Sequence, residues 1–156
     1  MKLFLDTEFN GWGGDLISMA LVPAMGEPFY CVLDYSAMPV VPWVRDNVLP
    51  VLFTGVYAED AVAVSSSTFQ SRLASFLRRP EYRGGVEIIA DWPDDVKYFC
   101  AALITGPGVC LSTPPLRFTI ADDLPKVESA HPHNALADAK ALRRAYIGAA
   151  ALRGGK

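Results

Sequence analysis

The sequence predicts an α/β domain built on a mixed sheet. Three short apolar segments joined by turns of hairpin length come first, and strand–helix alternation follows. Size adds a bound: 156 residues, 51% of them hydrophobic, suffice for one core and are too few for two ordinary ones, so residues 1–156 are expected to form a single domain.

The first strand covers residues 3–5, within a stretch that runs from Lys2 to Phe9. The turn Gly11-Trp-Gly-Gly14 leads to a second strand at 16–22, and Gly26-Glu-Pro28 to a third at 29–33, which together read as an antiparallel meander. A short helix is expected near 43–48, inside the proline-punctuated segment 39–50. Ser65 to Thr68 offer N-cap hydroxyls before Phe69, Leu73, Phe76 and Leu77, whose spacing marks one face of a helix ending before Pro80. Gly84-Gly85 then releases a fourth strand at 86–90. Val96, Phe99, Cys100 and Leu103 recur at helical spacing, with Pro93 in the first turn. A Gly- and Pro-rich loop at 105–115 breaks that helix, and a fifth strand follows at 117–121. The last helix is expected at 135–152, with Ala135, Ala139, Leu142, Tyr146 and Ala149 as its buried stripe.

Composition excludes several classes. The net charge of -3 gives no global pull on a polyanion, so nucleic acid would have to be gripped by local basic patches or through metal. Cys31, Cys100 and Cys110 are odd in number and show no CxxC or CxxH spacing, which argues against a disulfide framework or zinc knuckle and suggests buried small hydrophobes. No apolar run approaches the length of a membrane span, and the chain enters a strand at once without a signal-peptide pattern, so a cytoplasmic protein is expected.

The chemistry lies in separated acids. Asp6 and Glu8 stand two residues apart on one strand, which points both carboxylates to the same face. Two like charges so close call for a cation. A second ion, roughly 4 Å from the first, needs further carboxylates from elsewhere in the chain. Asp95, in the first turn of its helix, and Asp138, beside the buried stripe of the last helix, are the natural candidates. His133 stands five residues before Asp138, where an imidazole can serve as general base near neutral pH.

Asp6-Thr-Glu8 after an apolar strand, Asp91-Trp-Pro-Asp-Asp95 before a helix and His133-Asn-Ala-Leu-Ala-Asp138 at the start of the last helix together resemble the three motifs of the DEDDh exonuclease superfamily. The likeness is greatest to its small bacterial and phage 3′–5′ exoribonucleases, and it spans residues 2 to about 150. It implies a ribonuclease H-like fold and two Mg2+ or Mn2+ ions held by Asp6, Glu8, Asp95 and Asp138. It also implies a water deprotonated by His133 that attacks the 3′-terminal phosphodiester and releases nucleoside 5′-monophosphates. The partner is then single-stranded RNA, an RNA 3′ overhang or DNA, and relatives are often homodimers. Asp122 resembles the aspartate that commonly precedes the third motif without being a ligand. The proline-flanked segment before His133 suggests a loop that orders over substrate.

In the second motif most relatives carry Asn where Asp91 stands, so three acids compete there. The four-residue spacing from Asp91 favours Asp95, and Asp91 or Asp94 remain able to share or replace it. Phe9, Asn10 and Trp12, just past Glu8, are candidate contacts to the terminal nucleotide, with Trp12 able to stack on its base. Arg72, Arg78, Arg79 and Arg83, with Lys140, Arg143 and Arg144, are candidate phosphate contacts or a solvated face. Three alternatives stay open: an exodeoxyribonuclease of the same fold, a haloacid dehalogenase-type phosphatase with Asp6 as nucleophile, and a non-catalytic nucleic-acid-binding module. The phosphatase reading needs a second Asp where Glu8 stands and has no use for His133.

Overall fold

Alternation along β1 (Lys2–Phe9) decides the layering of the molecule. Leu3 and Leu5 point to one face of the sheet and Phe4 to the other, and all three are buried. A strand buried on both sides needs a covering layer on each. The computed structural model, which describes residues 1–55 and 61–154, supplies both layers. Phe69, Leu73, Phe76 and Leu77 of α2 (Ser66–Leu77) and Phe99 of α3 (Pro93–Leu103) pack on the Leu3/Leu5 face. On the Phe4 face, α4 (Ala135–Gly154) lays down Ala135, Leu136, Ala139 and Leu142. Val44 of α1 (Pro42–Asn47), with Val48 and Leu52 just beyond it, covers Ile17 and Val32. A side chain as fully enclosed as Phe99 contributes about 1.5–3 kcal/mol by leaving water.

The main sheet runs in the order β4 (Ala63–Val64), β3 (Phe29–Leu33), β2 (Leu16–Pro23), β1, β5 (Val86–Ala90), β8 (Leu116–Ile120). The pairs β1–β2 and β2–β3 are antiparallel, as the hairpin-length turns dictate. The pairs β3–β4, β1–β5 and β5–β8 are parallel. This is the expected mixed α/β sheet, and its order is consistent with a ribonuclease H-like arrangement. β1 lies at its centre, so its C-terminal half sits in the crevice where β5 ends and α3 begins.

Local chemistry explains the turns. A Cβ on Gly14 would lie 2.0 Å from the Asn10 carbonyl oxygen, so the loop between β1 and β2 closes only with glycine there. The Ser65 hydroxyl accepts the Thr68 N–H at 3.3 Å and caps α2. Asn134 does the same for α4, its Oδ1 accepting the Ala137 N–H at 3.0 Å.

Several expectations need correcting. β1 extends through Phe9, so Glu8 lies inside the strand and pairs with Ser18 across β2. The Gly- and Pro-rich segment holds a small hairpin, β6 (Ile104–Gly106) with β7 (Val109–Cys110). The fifth predicted strand is β8 and is shifted one residue toward the N-terminus. Of the cysteines only Cys31 is buried. Cys100 lies on the solvent side of α3, whose buried residues are Asp95, Tyr98 and Phe99, and Cys110 sits in the hairpin outside the main sheet. Among the described residues no helix is long and apolar enough to cross a membrane.

Candidate metal centre

The strand periodicity that buries Phe4 also sends Asp6 and Glu8 toward α4. Asp91 follows the last residue of β5, and the parallel register Phe4↔Ile89, carried two residues on, sets it beside Asp6. Asp95 arrives from the first turn of α3 and Asp138 from the first turn of α4. The result is two groups of carboxylates whose ligand atoms lie within 4.8 Å of one another: Asp6, Asp91 and Asp95, and Asp6, Glu8 and Asp138. Asp6 belongs to both.

Thr7 points to the opposite face and serves the site from there. Its backbone N–H and its hydroxyl both donate to Asp95 Oδ1, at 3.0 and 2.6 Å. The β1–β5 ladder pairs only Lys2 to Phe4, so the carboxylate satisfies an N–H that β5 no longer reaches. Asp95 is 2% exposed as a result. Of the three acids of the second motif, Asp91 and Asp95 both stand at Asp6, and Asp94 accepts from Lys97 Nζ at 3.2 Å and Trp92 Nε1 at 3.3 Å.

Electrostatically the cluster is uncompensated. None of its five carboxylates is salt-bridged to a lysine or arginine among the described residues. Burial, reinforced by the charges of Asp95, Glu8, Asp138 and Asp91, holds the Asp6 carboxyl well above its usual range. Glu8 is pushed up to about 8, by burial first and then by Asp138 and Asp95. Burial raises Asp95 to about 7 against the pull of the Thr7 hydroxyl, with the Asp91 charge adding to the rise. Asp138 is raised by burial and held back by the Ser129 hydroxyl and by the His133 N–H, which donates to its Oδ2 at 2.9 Å. Crowded oxygen donors without a counter-charge are what a hard divalent cation satisfies, so the residues fit Mg2+ or Mn2+.

His133 lies at the rim of the cluster and not within it. Its ring is exposed and stands edge-on to Trp43 at 4.9 Å, and its backbone has a φ of 65°, in the left-handed region that a side chain rarely adopts. Asn134 holds that backbone in place: it is 1% exposed, and its Nδ2 donates to the carbonyls of Val51 and Leu52 at 2.7 and 3.1 Å. No family model and no curated protein matches this chain.

A cleft of ≈ 570 Å³ opens beside the acids, lined by Asp6, Asp91, Trp92, Val127, Ser129 and Asp138 among others. Asp122 also lines it, in the turn just beyond β8. The residues after Glu8 separate in role. Phe9 stacks on Tyr98 at 4.7 Å, and both ends of the Asn10 amide are occupied, by the Pro39 carbonyl and the Val41 N–H. Trp12 is 95% exposed between two glycines of positive φ. Arg144 binds the Glu128 carbonyl and does not pair with Asp138.

The sequence reading missed Thr7, Asn134, Trp43 and Trp92. Asn134 carried a usable signal, since Asn directly before a helical run is a strong N-cap. Thr7 carried none, because what it does depends on where β5 ends.

Proposed function

We propose that this chain is a metal-dependent 3′–5′ exoribonuclease of the DEDDh type, removing nucleoside 5′-monophosphates from RNA 3′ ends. The observation that carries the reading is the pair of carboxylate groups sharing Asp6, since two adjoining oxygen-donor groups match the two-ion arrangement that stabilises both the attacking and leaving oxygens of an in-line displacement. Asp6, Glu8, Asp95 and Asp138 would hold two Mg2+ or Mn2+ ions, with Asp91 beside Asp95 as a further ligand. When bound, the ions supply a water activated at neutral pH and neutralise the charge that develops on the leaving oxygen.

The chain's own groups do the rest. Thr7 fixes Asp95 before any ligand arrives, so no reorganisation is needed there. His133 takes the proton of the attacking water, and its place at the rim suits a contact that tightens once substrate is seated. Trp92, 60% exposed at the mouth of the cleft, offers a flat surface for the terminal base.

A 5′-labelled RNA oligonucleotide incubated with Mn2+ is expected to shorten stepwise from its 3′ end. A ladder on DNA alone would make the protein an exodeoxyribonuclease. Hydrolysis of a small phosphomonoester instead would favour a phosphatase with Asp6 as nucleophile, and binding of RNA with neither reaction would leave a non-catalytic binder.

A further inference from the structure

A groove of ≈ 770 Å³ lies away from the acids, beside β3 and between α2 and α4. Among the described residues β4 pairs only with Val32 and Leu33 of β3, and Phe29 and Tyr30, beyond that pairing, line the groove. Among the described residues four cationic side chains line it, Arg72, Arg79, Lys140 and Arg143, against one acidic residue, Glu27. In a chain of net charge -3 this is a strong local excess.

The cations are held so that donors remain free. Arg79 lies over the Phe76 ring at 4.4 Å and gives one N–H to the Glu27 carbonyl, and Arg143 gives one to the Pro23 carbonyl. A guanidinium has five N–H donors, so each keeps several for an anion. None of the four is salt-bridged to a carboxylate among the described residues. The hydroxyls of Ser71 and Ser75 line the same wall and add neutral donors.

Register ties the groove to the metal centre. Tyr30 lines the groove and pairs with Ala20, which pairs with Asp6, so the three stand in one row across the sheet. Two inter-strand steps put the backbone of Tyr30 about 10 Å from that of Asp6. The helix between them presents Asp138 and Leu142 to the cleft and Lys140 and Arg143 to the groove. We infer that this groove binds the sugar–phosphate backbone of the single-stranded nucleic acid whose 3′ end occupies the cleft. The inference rests on the nuclease reading for the direction of the strand, and on the groove alone for the binding of phosphates.

The test is fluorescence anisotropy of a 5′-labelled single-stranded RNA 12-mer in EDTA, where no cleavage occurs, over a series of salt concentrations. Arg72→Glu/Lys140→Glu is expected to bind at least tenfold more weakly than wild type, while the equally charge-reversed control Arg45→Glu/Arg117→Glu, outside the groove, stays within about twofold. The single neutral variants Arg72→Gln and Lys140→Gln, which disturb folding less, should each flatten the slope of log affinity against log salt by about 0.7. Groove variants that bind as wild type does, or a control that weakens binding equally, would overturn the inference. Failure of the two ideas is distinguishable: an intact ladder assay with unaffected groove variants removes the groove alone, whereas groove-dependent binding without any ladder removes only the catalytic reading.

Discussion

The two carboxylate groups that meet at Asp6 are held by different means. The inner one, Asp6 with Asp91 and Asp95, is assembled from two neighbouring strands and the start of α3, and Asp95 is locked by both Thr7 donors. The outer one, Asp6 with Glu8 and Asp138, depends on how the chain enters α4 after the irregular run 121–134. There the fixed point is Asn134, and the neighbouring His133 stands exposed in a left-handed conformation. The difference teaches that half of the site is preorganised by the core of the domain, while the other half is set by one helix entry that can be perturbed separately.

The shared residue should matter most. Asp6→Ala is expected to lower kcat by about 10³-fold or more, the scale of losing a main electrostatic contact to the transition state. It should also raise the thermal midpoint of the metal-free protein, because it relieves repulsion among crowded carboxylates. Activity within tenfold of wild type would break the comparison at the point where the groups join.

His133→Ala tests the outer side alone. Turnover should fall by ~10²–10⁴-fold while Mn2+ affinity, read by titration calorimetry, stays unchanged. Lost metal affinity would mean that the imbalance between the two groups lies in ion binding and not in proton transfer. Thr7→Val tests the inner side: it deletes the hydroxyl donor and keeps the backbone one, so a loss of about 10–100-fold in activity or metal affinity is expected. An unchanged enzyme would show that the backbone N–H suffices to place Asp95.

The pH dependence of stability follows from the sign of the shifts. Glu8 and Asp95 titrate at about 8 and about 7 in the folded chain, against ordinary values of 4.5 and 3.8. Between those limits the folded state binds more protons than the unfolded one, so metal-free stability should fall as pH rises from about 4 to about 8. Differential scanning calorimetry should show a midpoint several degrees lower at pH 8 than at pH 5, and Mg2+ should restore it chiefly at the higher pH. A flat profile would mean that the acids are screened by water in solution.

Much of this was legible in the sequence because it depends on short-range periodicity. The meander, the three principal helices and the common face of Asp6 and Glu8 follow from periods of two and 3.6. What was hidden depends on where elements stop. The role of Thr7 exists because the β1–β5 ladder ends at Phe4, and Asp91 shares the place of Asp95 because parallel pairing sets the end of β5 beside Asp6. The cationic groove was hidden for a similar reason: Arg72 and Lys140 are 68 positions apart in the chain and come to one groove only because α2 and α4 both flank β3. The exposure of Cys100 shows the limit from the other direction, since a small apolar residue at helical spacing does not say which side of the helix is covered.

One feature of α4 reaches further than its packing. Ala135 and Ala139, one turn apart, are fully buried, and Ala20 of β2 belongs to the same core. A seam made of methyl groups is thin and has no slack, so it acts as a gauge that sets the height of Asp138 above β1. Mg2+ demands oxygens at about 2.0–2.1 Å, while Ca2+ accepts about 2.3–2.6 Å. On the proposed two-ion reading, discrimination between ions of different radius would be set from the back of the helix, by side chains outside the carboxylate cluster.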